Sequence, residues 1–191
     1  ATTEIYTLSL HDALPILITI LAGDSLFLLM VYLMLTSFVL GMGIPTTPAY
    51  IVVATLGAPA LIKAGAPQLV AHMFVFYYAI LSFITPPVCV AAFAGAAIAE
   101  SKAMETGFIA LKLGIVAFIV PFMFVYAPSL LFQGSPLTIA TTIVTALAGV
   151  IFIGSALQGY FLGARLPAVS RALFFAAAIT LIIPGYLTDG I

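Results

Sequence analysis

Three long runs of this sequence, residues 25–62, 64–99 and 113–164, contain no Asp, Glu, Lys or Arg, and only His72 interrupts them with a titratable imidazole. A charged group at the centre of a membrane helix costs about 2.5–3.5 kcal/mol, whereas each Leu, Ile, Phe or Val returns only about 0.3–0.6 kcal/mol. Runs from which charge is excluded over such lengths are therefore membrane segments, each with room for the ~20 residues of a helical span. The balance of the whole chain agrees: 64% of its residues are hydrophobic and 6% charged, against roughly 25% charged in soluble domains. Such a chain cannot clothe a water-facing surface, so it reads as an all-α integral membrane protein. It has no basic patch, which excludes nucleic acid as a partner. Cys89 is the single cysteine; it cannot form a disulfide within the chain and reads as a small packing residue. His11 and His72 are far apart, and no metal-ligand spacing is present.

The front end differs from the rest. Residues 1–16, ATTEIYTLSLHDALPI, gather Glu4, His11 and Asp12 into a short polar run. They lack the basic start and small-residue cleavage site of a signal peptide. The run TLSLHDALPI resembles one reading frame of a common short-read sequencing adapter. Residues 1–16 are accordingly expected to be a library artefact that makes few contacts with the helical body, joined to the C-terminal part of a longer protein.

Glycine and proline divide the remainder. Apolar helices are expected over residues 26–40, 50–63, 68–83, 88–99, 112–132, 137–162 and 172–187, with Pro121 and Pro128 as kink sites. Glu100, Ser101, Lys102 and Glu105 mark an exit into water. Lys102 and Lys112 are placed in one loop and Arg165 and Arg171 in another, two spans away. The positive-inside rule puts both in the cytoplasm and the C-terminus outside. Lys63 is then a mild exception. Asp24 and Asp189 read as interfacial charges, and Tyr50, Tyr77 and Tyr78 as packing or interfacial residues. His72 is expected to bond to a neighbouring backbone group.

Two segments break helices between apolar halves: residues 41–48, GMGIPTTP, and residues 82–87, SFITPP. Non-helical backbone at membrane depth is tolerated only where protein buries it or a polar cavity solvates it. A broken helix presents carbonyls at the end of one half and amides at the start of the next, with roughly half a unit of negative and positive charge respectively. Carbonyls suit Na⁺, and amides suit a carboxylate. The expected ion ligands are backbone and hydroxyl oxygens around Gly41, Gly43, Thr46, Thr47, Ser82, Thr85 and Pro86. The expected substrate contacts are Thr46, Thr47, Pro48, Thr85 and Pro87. Thr85 is expected to cap a helix with Pro86 in its first turn. The two breaks are expected to face one another. No carboxylate lies near them in sequence, and no nucleophile–base pair or phosphate loop supports catalysis, so an enzyme is not expected and no cofactor is called for beyond a Na⁺ ion at these breaks.

The stretches GMGIPTTPAYIVVA, APALIKAGAPQLVAHMFVFYYAILSFITPPVCVAAFAGAAIAE and GIVAFIVPFMFVYAPSLLFQG resemble the large membrane subunit of tripartite ATP-independent periplasmic (TRAP) transporters. LQGYFL and IIPGYLTD are similar to the C-terminal extension of the TAXI type, in which the small and large permease subunits are fused. The resemblance covers residues 17–191. It implies the second inverted repeat of an elevator-type, Na⁺-coupled secondary importer of small organic acids in a bacterial or archaeal cytoplasmic membrane. Residues 25–66 would be its helical hairpin, 68–99 its broken helix and 100–112 a cytoplasmic arm, making 17–112 half of a transport domain. Residues 113–191 would add C-terminal transmembrane helices. The implied partners are a periplasmic solute-binding protein and the remainder of the fused permease. The first repeat is not among these residues, so the fragment is expected to be inactive alone. A channel or pore subunit is the alternative; an intramembrane enzyme and a purely structural subunit are weaker ones.

Overall fold

The computed structural model describes residues 22, 23 and 25–182. Residues 1–16, with their expected lack of contacts, lie outside the described residues, as do His11, Asp24, Asp189 and the end of the last expected helix. The described residues form two compact units, one up to Gly114 and one from Ile115.

The first unit is built on three helices, α1 (Leu26–Gly41), α2 (Thr46–Lys63) and α3 (Gln68–Leu81), which pack on one another. Ser25 opens α1, its hydroxyl accepting from the Leu28 amide. Leu29, Leu33, Ser37 and Gly41 are all buried and recur every fourth residue, so they form one stripe along α1. Ser37 lies in this stripe without an unsatisfied hydroxyl, because it donates to the Leu33 carbonyl at 2.6 Å. Small residues let the helices approach. A Cβ on Gly57 of α2 would meet Leu33 Cδ2 at 3.0 Å and Val75 Cγ2 at 3.4 Å, the close packing by which helices associate where no hydrophobic effect drives them. Tyr78 fills the centre, fully buried, edge-on to Phe38 at 5.4 Å and Phe74 at 4.9 Å between centroids. It is a packing residue, as its position predicts.

Helix α2 starts at Thr46, four residues before the expected Tyr50. Pro48 lies in its first turn, where a missing N–H leaves no hydrogen bond unmade, so the first break narrows to residues 42–45. The opposite shift occurs at the second break. After α3 the chain makes a 3₁₀ turn, Ser82–Ile84, and the next helix, α4 (Val90–Ile98), starts two residues later than expected, after Cys89. The Pro86–Pro87 peptide is cis.

Helix α5 (Ala103–Gly114) packs on α4. The stretch from Lys102 to Lys112, read as a loop, is therefore helical. Its first turn is closed by an exposed Lys102–Glu105 pair at 2.7 Å and by Thr106, whose hydroxyl donates to the Lys102 carbonyl. Gly107 gives this contact its closeness: a Cβ there would collide with Cys89 Sγ and lie 3.7 Å from Pro86 Cγ. Cys89 is fully buried, the packing role its isolation implied.

In the second unit a 3₁₀ turn (Ile115–Phe118), α6 (Val120–Tyr126) and a further 3₁₀ turn (Pro128–Leu131) precede the long α7 (Pro136–Gln158). Pro121 and Pro128 fall at the starts of α6 and the following turn, so they interrupt the helix, as expected of kink sites. Ser135 caps α7, accepting from the Thr138 amide at 3.2 Å. α7 ends at Gln158, short of the expected residue 162, because Gly159 takes a left-handed conformation (φ +74°). A two-stranded antiparallel hairpin follows, β1 (Tyr160–Phe161) and β2 (Ala164–Arg165), turning through Leu162 and Gly163, both at positive φ. α8 (Ala168–Ile182) then packs along α7, starting four residues before the expected 172.

Two segments, Ala103–Tyr126 and Pro136–Gln158, are long and apolar enough to cross a membrane, and only 11% and 17% of their most apolar windows are buried. The core helix of a soluble protein would be mostly covered. α1, α3 and α8 are shorter apolar helices, and large apolar side chains such as Val39, Ile98 and Leu137 are at least two-thirds exposed. Apolar surface this extensive requires lipid or further protein against it.

The Cys89–Gly107 contact gives a test. Gly107→Ala should destabilise the first unit by about 1–3 kcal/mol, as overpacking does. The double variant Cys89→Ala/Gly107→Ala should recover much of that loss, because it removes the atom the new methyl strikes. Thermal unfolding in detergent across the four-member cycle measures the coupling.

Candidate functional site

The two breaks adjoin. Ser82, at the end of α3 and only 1% exposed, points its hydroxyl at the Gly41 carbonyl (3.0 Å) and at the Ala79 carbonyl of its own helix (2.7 Å). One proton serves both acceptors, so the bond is shared. Gly41 is the last residue of α1, and its carbonyl is among those the helix leaves without an internal partner. Its missing side chain is what permits the approach: a Cβ at Gly41 would lie 2.9 Å from Ser82 Oγ. Further along, Gly43 takes φ +76°, and a Cβ there would be 3.6 Å from Val88 Cγ1, across the second break. Gly41 and Gly43 of the first break thus meet Ser82 and Val88 of the second, as expected.

The other expected residues are placed differently. Thr85 does not cap the following helix. Its hydroxyl donates back to the Leu81 carbonyl at 2.7 Å, closing the end of α3, and α4 starts after Cys89 without a side-chain cap. The reason is that cis Pro86–Pro87 and Val88–Cys89 intervene, so Thr85 is too far ahead of Val90 to reach its first amides. Pro86 is half-buried and approaches the Gly107 position of α5, while Pro87 is exposed. Thr46, Thr47 and Pro48 occupy the first turn of α2; Thr46 is half-buried, and Thr47 and Pro48 are exposed. The first amide of α2 bonded to the preceding turn is Ala49, to Pro45 O at 3.0 Å. Pro48 has no N–H, which leaves the Thr46 and Thr47 amides as the donors at this helix start.

Sequence reasoning missed three participants. Val88 carries the apolar contact to Gly43, the start of α4 at Val90 supplies the amide end of the second break, and Gly107 admits Cys89 against α5. The amide end could have been found from the Pro-Pro pair, since neither ring donates; the glycine contact has no sequence signal. His72 also departs from expectation. Its Nδ1 is 3.0 Å from the Tyr50 hydroxyl of α2, so its partner is a side chain rather than the backbone, and Phe76 stands edge-on to Tyr50 at 5.4 Å. This bond ties α2 to α3 one turn past the first break.

The chemistry available at the junction is that of neutral oxygen. Ser82 and Thr85 spend their protons on carbonyls, which leaves hydroxyl lone pairs for a cation. No His, Cys, Asp and Glu grouping among the described residues could hold a metal ion, and hard oxygens without carboxylates fit a monovalent ion better than a transition metal.

Apolar, largely uncovered helices interrupted by adjoining backbone breaks define a helical membrane protein with a polar junction inside its fold. Residues 5–139 match the family model of the tripartite ATP-independent periplasmic transporter, DctM component, and the chain belongs to that family. It is therefore a transport protein of the membrane rather than an enzyme. The match includes both breaks and takes in residues 5–16, which the sequence reading set apart; it ends within α7. No curated protein matches the chain, and no solved structure does.

The shared hydrogen bond at the junction has a measurable weight. Ser82→Ala should cost about 0.5–1.5 kcal/mol, the usual net worth of a buried hydrogen bond. Gly41→Ala should cost more, because the new methyl meets Ser82 Oγ. Chemical or thermal unfolding in detergent checks the order; equal stability of Gly41→Ala and the wild type would contradict the close approach.

Proposed function

We propose that the chain is the second-repeat part of a TAXI-type fused permease, a Na⁺-coupled secondary importer of small organic acids that receives its substrate from a periplasmic solute-binding protein. In this reading the protein is a multi-pass component of a bacterial or archaeal cytoplasmic membrane, with its C-terminus outside. α1 and α2 form the helical hairpin, and α3 and α4 the broken helix of an elevator-type transport domain. Na⁺ sits among the oxygens of Gly41, Gly43, Ser82 and Thr85, with the Thr46 and Thr47 hydroxyls beside it. The substrate carboxylate lies toward the amide ends of α2 and α4, near Thr46, Thr47, Pro48, Thr85 and Pro87.

One observation carries this reading: the Ser82 hydroxyl at the Gly41 carbonyl, which brings the end of α1 to the end of α3. Both helix ends present carbonyls and hence negative partial charge. Two like ends held together favour a cation between or beside them. Their shared proton offsets part of the repulsion, and a cation would offset the rest. The neighbouring helix starts supply positive ends for an anion, so ion and acid bind close together and each improves the field for the other. This is coupling through opposite charge, and it predicts that loss of an ion ligand weakens acid uptake as well.

The test is uptake as a function of external Na⁺ by the whole transporter, reconstituted with its binding protein. Thr47→Val and Thr85→Val each remove a hydroxyl at nearly constant shape. Each should raise the Na⁺ concentration needed for half-maximal uptake several-fold. Unchanged Na⁺ dependence in both variants rejects the hydroxyl assignment. Conduction without the binding protein would indicate a pore instead. Residues 17–191 alone, with one hairpin and one broken helix, should not transport; uptake by that piece would reject the claim that the first repeat is essential.

A further inference from the structure

The second unit concentrates its charge at one end. From Ile115 to Ile182 the formal charges are Arg165 and Arg171, and no carboxylate accompanies them among the described residues. Arg171, in the first turn of α8, reaches back to the end of α7: Nε donates to the Ala156 carbonyl at 2.7 Å and Nη2 to the Leu157 carbonyl at 3.3 Å. A cation at a helix C-terminus is favourable, and Arg171 lies beside Gly159, where a Cβ would be in ordinary contact with its Cζ at 3.7 Å. Arg165 lies on the hairpin that follows α7. Its strand pairs it with Tyr160, its Nε donates to the Tyr160 hydroxyl at 2.7 Å, and its guanidinium carbon is 5.8 Å from the Tyr160 ring centroid. Arg171 thus meets the carbonyl end of α7, and Arg165 the Tyr160 side chain of the hairpin that directly follows it. A guanidinium has five N–H donors; Arg171 uses two and Arg165 one, so most remain available.

Beside Arg171 an open groove of about 360 Å³ runs between α7 and α8, lined by Ala156, Leu157, Ala168, Arg171, Ala172 and Phe175. Apart from the arginine its walls are apolar. The surroundings are equally lipophilic: Leu162 at the hairpin tip is 91% exposed, and Val169 and Leu173 of α8 are uncovered. A soluble anion would use the arginines and gain nothing from these walls. A zwitterionic headgroup would bring its own cation against two guanidiniums with no carboxylate to receive it, and the Tyr160 face that could stack on an ammonium already carries Arg165.

We propose that the α7–hairpin–α8 corner binds an anionic phospholipid. Its phosphate is held by Arg165 and Arg171, and one acyl chain lies along the alanine-lined groove against Phe175. The proposal does not depend on the ion and substrate site, and both arginines lie outside residues 5–139. The physical basis is the one by which basic pockets between membrane helices select acidic headgroups: charge pairing at the interface with apolar contact beneath.

Native mass spectrometry of the full chain in detergent tests it, with phosphatidylglycerol and phosphatidylcholine of identical acyl chains as probes. The wild type should retain phosphatidylglycerol several-fold over phosphatidylcholine. Arg165→Gln and Arg171→Gln should each lower phosphatidylglycerol retention about fivefold, the effect expected of one basic residue at a membrane surface, with little change for phosphatidylcholine. Arg165 is exposed and caps no helix, so Arg165→Gln decides the matter even if Arg171→Gln unfolds α7. Equal retention of the two lipids by the wild type, or unchanged selectivity in Arg165→Gln, would overturn the proposal. Displacement of phosphatidylglycerol by millimolar inorganic phosphate would overturn it in favour of a soluble-anion site.

Discussion

A helix end buried in protein leaves carbonyls that neither water nor lipid solvates, and the first unit of this protein is arranged around that constraint. α1 stops at Gly41 and α3 at Leu81. The two ends are brought together, so a single buried hydroxyl, that of Ser82, serves a carbonyl from each. Thr85 serves another at Leu81. In an environment without water each unsatisfied group would cost several kcal/mol, so placing the breaks against one another is less costly than solvating them separately. The packing above follows from this joint. The stripe Leu29–Leu33–Ser37–Gly41 runs straight into it along α1, and Tyr78 lies one turn before it along α3, held by Phe74 and Phe38.

Closeness at this joint is supplied by absence of side chains. Gly41 admits Ser82 and Gly107 admits Cys89, and at Gly43 the positive φ rather than crowding calls for glycine. The bond between Tyr50 and His72 spans α2 and α3 just past the tip. It fixes the first turn of α2, and with it the Thr46 and Thr47 hydroxyls, while leaving the Thr side chains themselves free of intrachain hydrogen bonds among the described residues.

The apolar runs were legible because exclusion of charge is a global constraint that no local packing can override. Both breaks were legible for a similar reason: clustered Gly and Pro cannot continue a helix. Boundaries were less so. Pro48 reads as a breaker until it is placed in the first turn of α2, where it costs nothing, and Thr85 reads as an N-cap until Pro86–Pro87 moves the next helix four residues on. The pairing of Gly107 with Cys89 and of Tyr50 with His72 depends on which faces of two helices meet, and a single sequence does not encode that in any local pattern. Arg165 and Arg171 were read as loop residues marking the cytoplasmic side. That reading saw their charge but not their partners, the Tyr160 side chain and the α7 carbonyls, which depend on the positive-φ turn at Leu162–Gly163 and the left-handed Gly159.

The two units thus place charge in opposite ways. At the junction of the breaks there is no formal charge, and the electrostatic field comes from helix ends and hydroxyls. Such a field is modest, fixed in direction and highly dependent on geometry, because partial charges act only over the first or last turn. A small separation of α1 from α3 would weaken it. Near the ends of α7 and α8 the field comes from two full charges on long side chains, which persist through such movements and are screened by salt where they are exposed. A field made by helix ends responds to small shifts of α1 against α3, whereas the guanidiniums of the other unit keep their full charge whatever their geometry.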